Sequence, residues 1–109
     1  MNVLLDECVP WPLAKLLVGH NCTSPQKRGW GGVKNGELLK LAESEFDLFI
    51  TSDQNLRYQQ NLSDRKIAIL ELSSNDWHSI RLEAERIRLA VDIITPGDFI
   101  HHLVTPIKE

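Results

Sequence analysis

The chain has 109 residues, a formal net charge of −3, 42% apolar residues and 25% charged ones. That composition describes one globular domain over residues 1–109 with a single core. It excludes a nucleic-acid binder that relies on net positive charge, a membrane span of about 20 apolar residues, and, with only Cys8 and Cys22, a disulfide scaffold.

No basic stretch followed by an apolar run opens the sequence, so the expected setting is the cytoplasm, away from any membrane. There the two cysteines read as partly buried thiols without a metal-binding spacing.

In chain order, Val3, Leu4 and Leu5 predict a first strand that runs straight into Asp6 and Glu7. Residues 10–20 predict an amphipathic helix with Leu13 and Leu17 inward, closed by Gly19. Residues 21–24 predict a weak second strand. The next twelve residues hold one Pro, four Gly and three basic residues and predict a loop. A second helix follows, burying Leu38, Leu39 and Ala42.

Residues 46–52 predict a third strand, and Asp53 is placed to cap a short helix over 53–62. Residues 66–72 predict a fourth strand. The longest helix then carries Trp77, Ile80, Ala84, Ile87, Val91 and Ile94 on one face. The stretch "IHHLV" suits a short edge strand or a helical tail. Strands alternating with helices imply an α/β fold, a parallel sheet of four to five strands flanked by helices and joined by right-handed crossovers.

In such sheets ligands bind beyond the carboxyl ends of the strands. Asp6 and Glu7 follow the first strand and Asp53 follows the third, so these acids reach one edge. Glu37, at the start of a helix after a strand-to-helix loop, belongs on the same side, and Glu71 at the end of the fourth strand could join them. Each position also suits a turn or a helix start. Together, converging carboxylates need a counter-charge, and Mg²⁺ or Mn²⁺ with oxygen ligands is the simplest one.

A metal held by carboxylates beside basic residues is suited to phosphodiester hydrolysis. Asn55 adds an amide oxygen. Lys27, Arg28, Lys34 and Arg57 are candidate phosphate contacts, and Trp30 could stack on a base or pack over the sheet edge. His78, His101 and His102 read as surface residues.

The stretches "LLDECVPWPL", "NGELLKLAE" and "FITSDQNL" together resemble the short PIN-like proteins, relatives of the PIN-domain ribonucleases that act as toxins in bacterial toxin–antitoxin pairs. The resemblance implies a PIN-like three-layer sandwich. In it Asp6, Glu37 and Asp53 would be the catalytic, metal-holding acids for one or two Mg²⁺ or Mn²⁺ ions that activate water against RNA. It also implies an antitoxin partner and pairing into a homodimer.

The chain departs from the family pattern at Asn55, which stands where the family has a second acid, at Ser52 in place of Arg, and at Cys8 in place of Asn. The expected function is therefore a metal-dependent endoribonuclease. Two alternatives are a catalytically weak module that binds RNA or a protein partner, and a receiver-like phosphoacceptor. The receiver needs a lysine after its last strand, for which only Lys108 is available.

Overall fold

Strands form where short apolar runs can be covered on both faces, because a parallel sheet has no side left for water. In the computed structural model, which describes residues 1–56 and 65–106, these runs become β1 (Asn2–Leu5), β2 (Asn21–Thr23), β3 (Leu48–Thr51), β4 (Ala68–Leu72) and β5 (Phe99–His102). Every residue of β3 and β4 is buried. The five strands make one sheet in the order β2-β1-β3-β4-β5, all parallel.

The alternation of side chains sorts the sheet into two faces. On one, Val3, Leu5, Leu48, Ile50, Ala68, Leu70 and Leu72 meet Leu13 of α1 (Leu13–Leu16), Ile80 of α3 (Trp77–Leu82), and Ile87 and Val91 of α4 (Ala84–Ile93). On the other, Leu4, Phe49 and Ile69 meet Leu38, Leu39 and Ala42 of α2 (Asn35–Ala42). The result is three layers, helices on both sides of a parallel sheet, as expected from the sequence. Each fully covered Leu, Ile or Phe contributes about 1.5–3 kcal/mol through burial.

The structure corrects the sequence-based expectation at three places. α1 is one short turn, and the chain reverses at Gly19, whose φ of +89° only glycine adopts freely. The expected long helix over 77–94 is broken between α3 and α4 at Glu83 (φ −111°, ψ 13°). Glu83 is diverted there: its carboxylate faces His102 Nε2 at 3.2 Å and accepts from the Thr105 N–H.

The third correction concerns handedness. α1 connects β1 to β2 across one face, and α2 connects β2 to β3 in the other direction across the other face, so these crossovers share a hand. α3 and α4 connect β4 to β5 in the direction of the second crossover but on the face of the first. This crossover has the opposite hand, so a uniformly right-handed set does not hold. The helix expected over 53–62 lies largely outside the described residues. Among the described residues no helix is long and apolar enough to cross a membrane.

Candidate functional site

The chain moves from β1 to one neighbour, β2, and then to the other, β3. The crevice beyond the carboxyl ends of β1 and β3 is therefore the switch point where such sheets bind ligands. Asp6 stands there. Its N–H continues the ladder by donating to Ile50 O at 2.9 Å, which fixes the direction of the side chain. The carboxylate is 8% exposed and carries several donors. Oδ1 accepts from Glu7 N at 2.8 Å, and Oδ2 accepts from Thr51 Oγ1 at 2.8 Å and from Cys8 Sγ at 3.4 Å.

Thr51 joins the two acids. While its hydroxyl donates to Asp6, its oxygen accepts from Asp53 N at 3.0 Å. Asp53 Oδ1 accepts from Asn55 N at 3.0 Å, and Oδ2 accepts from Asn35 Nδ2 at 2.9 Å. Asn35 opens α2, so this bond ties the helix start to the end of β3. Glu37 lies in the first turn of α2, exposed. Asn55 is exposed, and its backbone, not its amide, meets Asp53. Arg57 lies outside the described residues.

The register extends the site across the sheet. Leu5 pairs with Ile50, Thr51 with Glu71, and Glu71 with His101. Asp6, Thr51, Glu71 and His101 thus form one row at the carboxyl edge, on the face that carries α2. Asp6, Thr51 and Glu71 are three of the four buried polar side chains among the described residues. Buried polar groups are costly unless bonded, so their collection on one row marks this edge as more than a turn. Glu71, fully buried, is hydrogen-bonded to His101 Nδ1 at 2.7 Å.

His101 is exposed, as expected of a surface residue, and His102 is half-buried; each also faces a glutamate. Cys8, expected to be a plain thiol, lies inside the site. Besides donating to Asp6, its sulfur accepts from Ser52 N at 3.4 Å.

A cleft of about 450 Å³ opens beside Asp6 and Glu7, bounded by Cys8, Trp11, Ser24 and Lys27. Lys27 Nζ rests 3.9 Å above the Trp11 ring at its rim. Glu7 Oε1 accepts from Gly32 N at 3.3 Å and tethers the glycine-rich loop.

The other expected substrate contacts are placed differently. Arg28 pairs with Glu45 and stacks 4.9 Å from the Trp30 ring. Trp30 is edge-on to Phe46 at 6.1 Å, so it packs as part of the wall over α2's face. Lys34 is exposed at the N-terminal boundary of α2.

The donor set bears on the expected cation. Among the described residues no three His, Cys, Asp or Glu side chains come together as a metal-holding group; Glu37 and Glu7 do not close a cage around Asp6 and Asp53. Asp6 Oδ1 and both Asp53 oxygens accept one bond each and retain a lone-pair site, while both sites on Asp6 Oδ2 are taken by Thr51 and Cys8. Two carboxylates are the number of protein ligands that a hard, hydrated cation such as Mg²⁺ commonly takes, its shell completed by water and substrate phosphate.

Thr51, Asn35 and the Glu71–His101 pair escape a reading of the sequence. Of these, Glu71 is legible as an acid at the carboxyl end of the fourth strand, and the threonine left a trace as the residue immediately before the "SD" of the third strand. Compared with protein-family models, with curated proteins and with solved structures, the chain matches none.

Proposed function

We propose that the chain is a metal-dependent phosphodiester hydrolase acting on RNA, with Asp6 and Asp53 as its metal-holding acids and Glu37 as an outer contributor. The observation that carries this reading is the bridge through Thr51, which joins the Asp6 carboxylate to the Asp53 backbone N–H and so keeps acids from two adjacent strands together at the switch point of the sheet. A Mg²⁺ or Mn²⁺ ion bound there would make a water more acidic and offset phosphate charge.

The chain's own groups supply the rest. Thr51 fixes Asp6 and frees it from rotation, Asn35 fixes Asp53, and Lys27 and Lys34 offer positive charge to a phosphate backbone. RNA as substrate, an antitoxin partner and a homodimer rest on the PIN-like resemblance.

The experiment is a Mn²⁺ titration by calorimetry on the wild type and on Asp6→Ala. Saturable binding is expected in the wild type and none in the variant. No binding by the wild type up to millimolar metal would sink the hydrolase reading and favour a module that binds without cutting. That second reading draws on the two-carboxylate site and the exposed Asn55. The receiver-like reading is weaker: β5 ends in His101 and His102 where it needs a lysine, and Lys108 lies outside the described residues.

A further inference from the structure

The cleft beside Asp6 and Glu7 carries more than a cation site needs. It measures about 450 Å³ and lies between the loop after β1 and the loop after β2, room for one small ligand. The first loop lends it Val9, Pro10 and Trp11, and the second lends it Ser24, Gln26 and Lys27. One side is therefore apolar and the other polar. Pro10 and Pro12 flank Trp11 and restrict its backbone. The indole itself is half-buried against the core, so the cleft has a rigid aromatic wall.

Lys27 is the odd cation of this region. Its neighbour Arg28 is neutralised by Glu45, whereas among the described residues Lys27 has no carboxylate within ion-pair reach. Its ammonium lies 3.9 Å over the Trp11 ring instead. A cation held by a ring alone keeps its three N–H donors unspent.

Together the two side chains select a ligand. A purely apolar one lying on Trp11 displaces the ammonium and gives it nothing in return. A purely anionic one draws Lys27 away and leaves the ring bare. A nucleotide answers both, because its base stacks on the indole and its phosphate takes the ammonium. The Ser24 hydroxyl and the Gln26 amide, in the same cleft, suit the polar edge of a base. A base inside a duplex is stacked and paired, and it cannot enter.

Resting on the reading of this edge as an RNA site, though not on cleavage, we propose that the cleft binds one unpaired base of the RNA. Trp11 is its stacking platform and Lys27 holds its phosphate. Asp6 and Glu7 line the same cleft, so the seated nucleotide keeps its strand against the acidic edge.

The test is binding in EDTA at low salt, read by fluorescence anisotropy of a labelled single-stranded RNA octamer. The wild type is expected to bind saturably, and Trp11→Phe to stay close to it. Trp11→Leu keeps an apolar side chain without the ring and should bind roughly 5- to 150-fold more weakly, the worth of one stacked base. Lys27→Gln, at an exposed position, should flatten the slope of log affinity against log salt by about 0.7, one phosphate contact on a single strand. A blunt RNA duplex should bind less well than the octamer and be indifferent to Trp11→Leu.

No binding of the octamer, equal losses in Trp11→Phe and Trp11→Leu, an unchanged slope in Lys27→Gln, or the same Trp11→Leu loss on the duplex overturns the proposal. So does displacement of the octamer by an equal concentration of an acidic peptide of alternating Glu and Phe, which assigns the cleft to a protein partner. Calorimetry with Mn²⁺ keeps the two readings apart. Metal binding alongside any of these failures leaves the hydrolase standing, and Trp11-dependent RNA binding without metal binding sinks the hydrolase alone.

Discussion

Asp6 and Asp47 stand at opposite ends of the ladder between β1 and β3, and their contrast is instructive. Asp47 is exposed, and one oxygen of its carboxylate accepts from Asn2 N at 2.8 Å. Its backbone closes the amino end of the sheet, donating to Asn2 O and accepting from Ala68 N. Water can replace everything its side chain does. Asp6 is nearly enclosed, accepts from three groups and is coupled through Thr51 to a second acid. The same residue type at the same distance from a strand is a stitch at one end and a charged centre at the other. Burial and company separate the two, not position in a turn.

The largest effect that would break this comparison belongs to Thr51→Val. The change keeps the shape but strips Asp6 Oδ2 of a buried donor and Asp53 N of its acceptor, so it should cost about 1–3 kcal/mol, read by urea unfolding. It should also weaken Mn²⁺ binding in the same calorimetric titration as Asp6→Ala. Unchanged stability and affinity would mean that the bridge holds nothing together.

At the other end Asp47→Ala should stay within about 0.5 kcal/mol, as surface changes do, and leave Mn²⁺ binding untouched. A large loss there would erase the distinction between the two ends.

The smallest effect sharpens the comparison by asking where acid acts. Hydrogen bonds from Ser79 hold Asp76 below the ordinary carboxylate range, and those from Thr95 do the same for Asp98. Both lie at turns away from the site. A depressed folded pKa contributes stability above the unfolded value of about 3.9, and that contribution is lost as pH falls through the folded one. Wild-type urea midpoints should therefore drop between pH 5 and pH 3, and Asp98→Asn should drop less. Equal slopes would remove Asp98 from the account.

The strands were legible because apolar runs such as 3–5 and 48–50 end in turn residues, and Asp6 and Asp53 were legible because they follow those runs. Thr51 was not: a threonine in a strand reads as β propensity, and its hydroxyl's partners come from β1 and from its own turn. Glu71 was legible as an acid at a strand end, but its pairing with His101 was not, because that depends on the register of β5, a segment that also suited a helical tail. The single long helix was a fair reading of an unbroken apolar stripe. Glu83 interrupts it for partners some 20 positions later, at separations of 19 and 22 residues, which no local pattern carries. Arg28 looked free to meet a ligand, and Trp30 could be read either way, because partners such as Glu45 and Phe46 are set by the loop's path over α2.

The reversed hand of the connection from β4 to β5 has a consequence for how the molecule is assembled. Strand twist favours one hand of crossover and this sheet contains both, so backbone geometry alone does not place β5. It leans on side-chain clasps: His101 on Glu71, His102 on Glu83, and Val104 N on Ser73 Oγ at 2.7 Å. β5 is also the last of the five strands to leave the ribosome. A chain caught before it docks would already join Asp6, Thr51 and Asp53 at the ends of β1 and β3, while Glu71 would still lack its bond to His101. The row from Asp6 to His101 is then complete only in the finished fold.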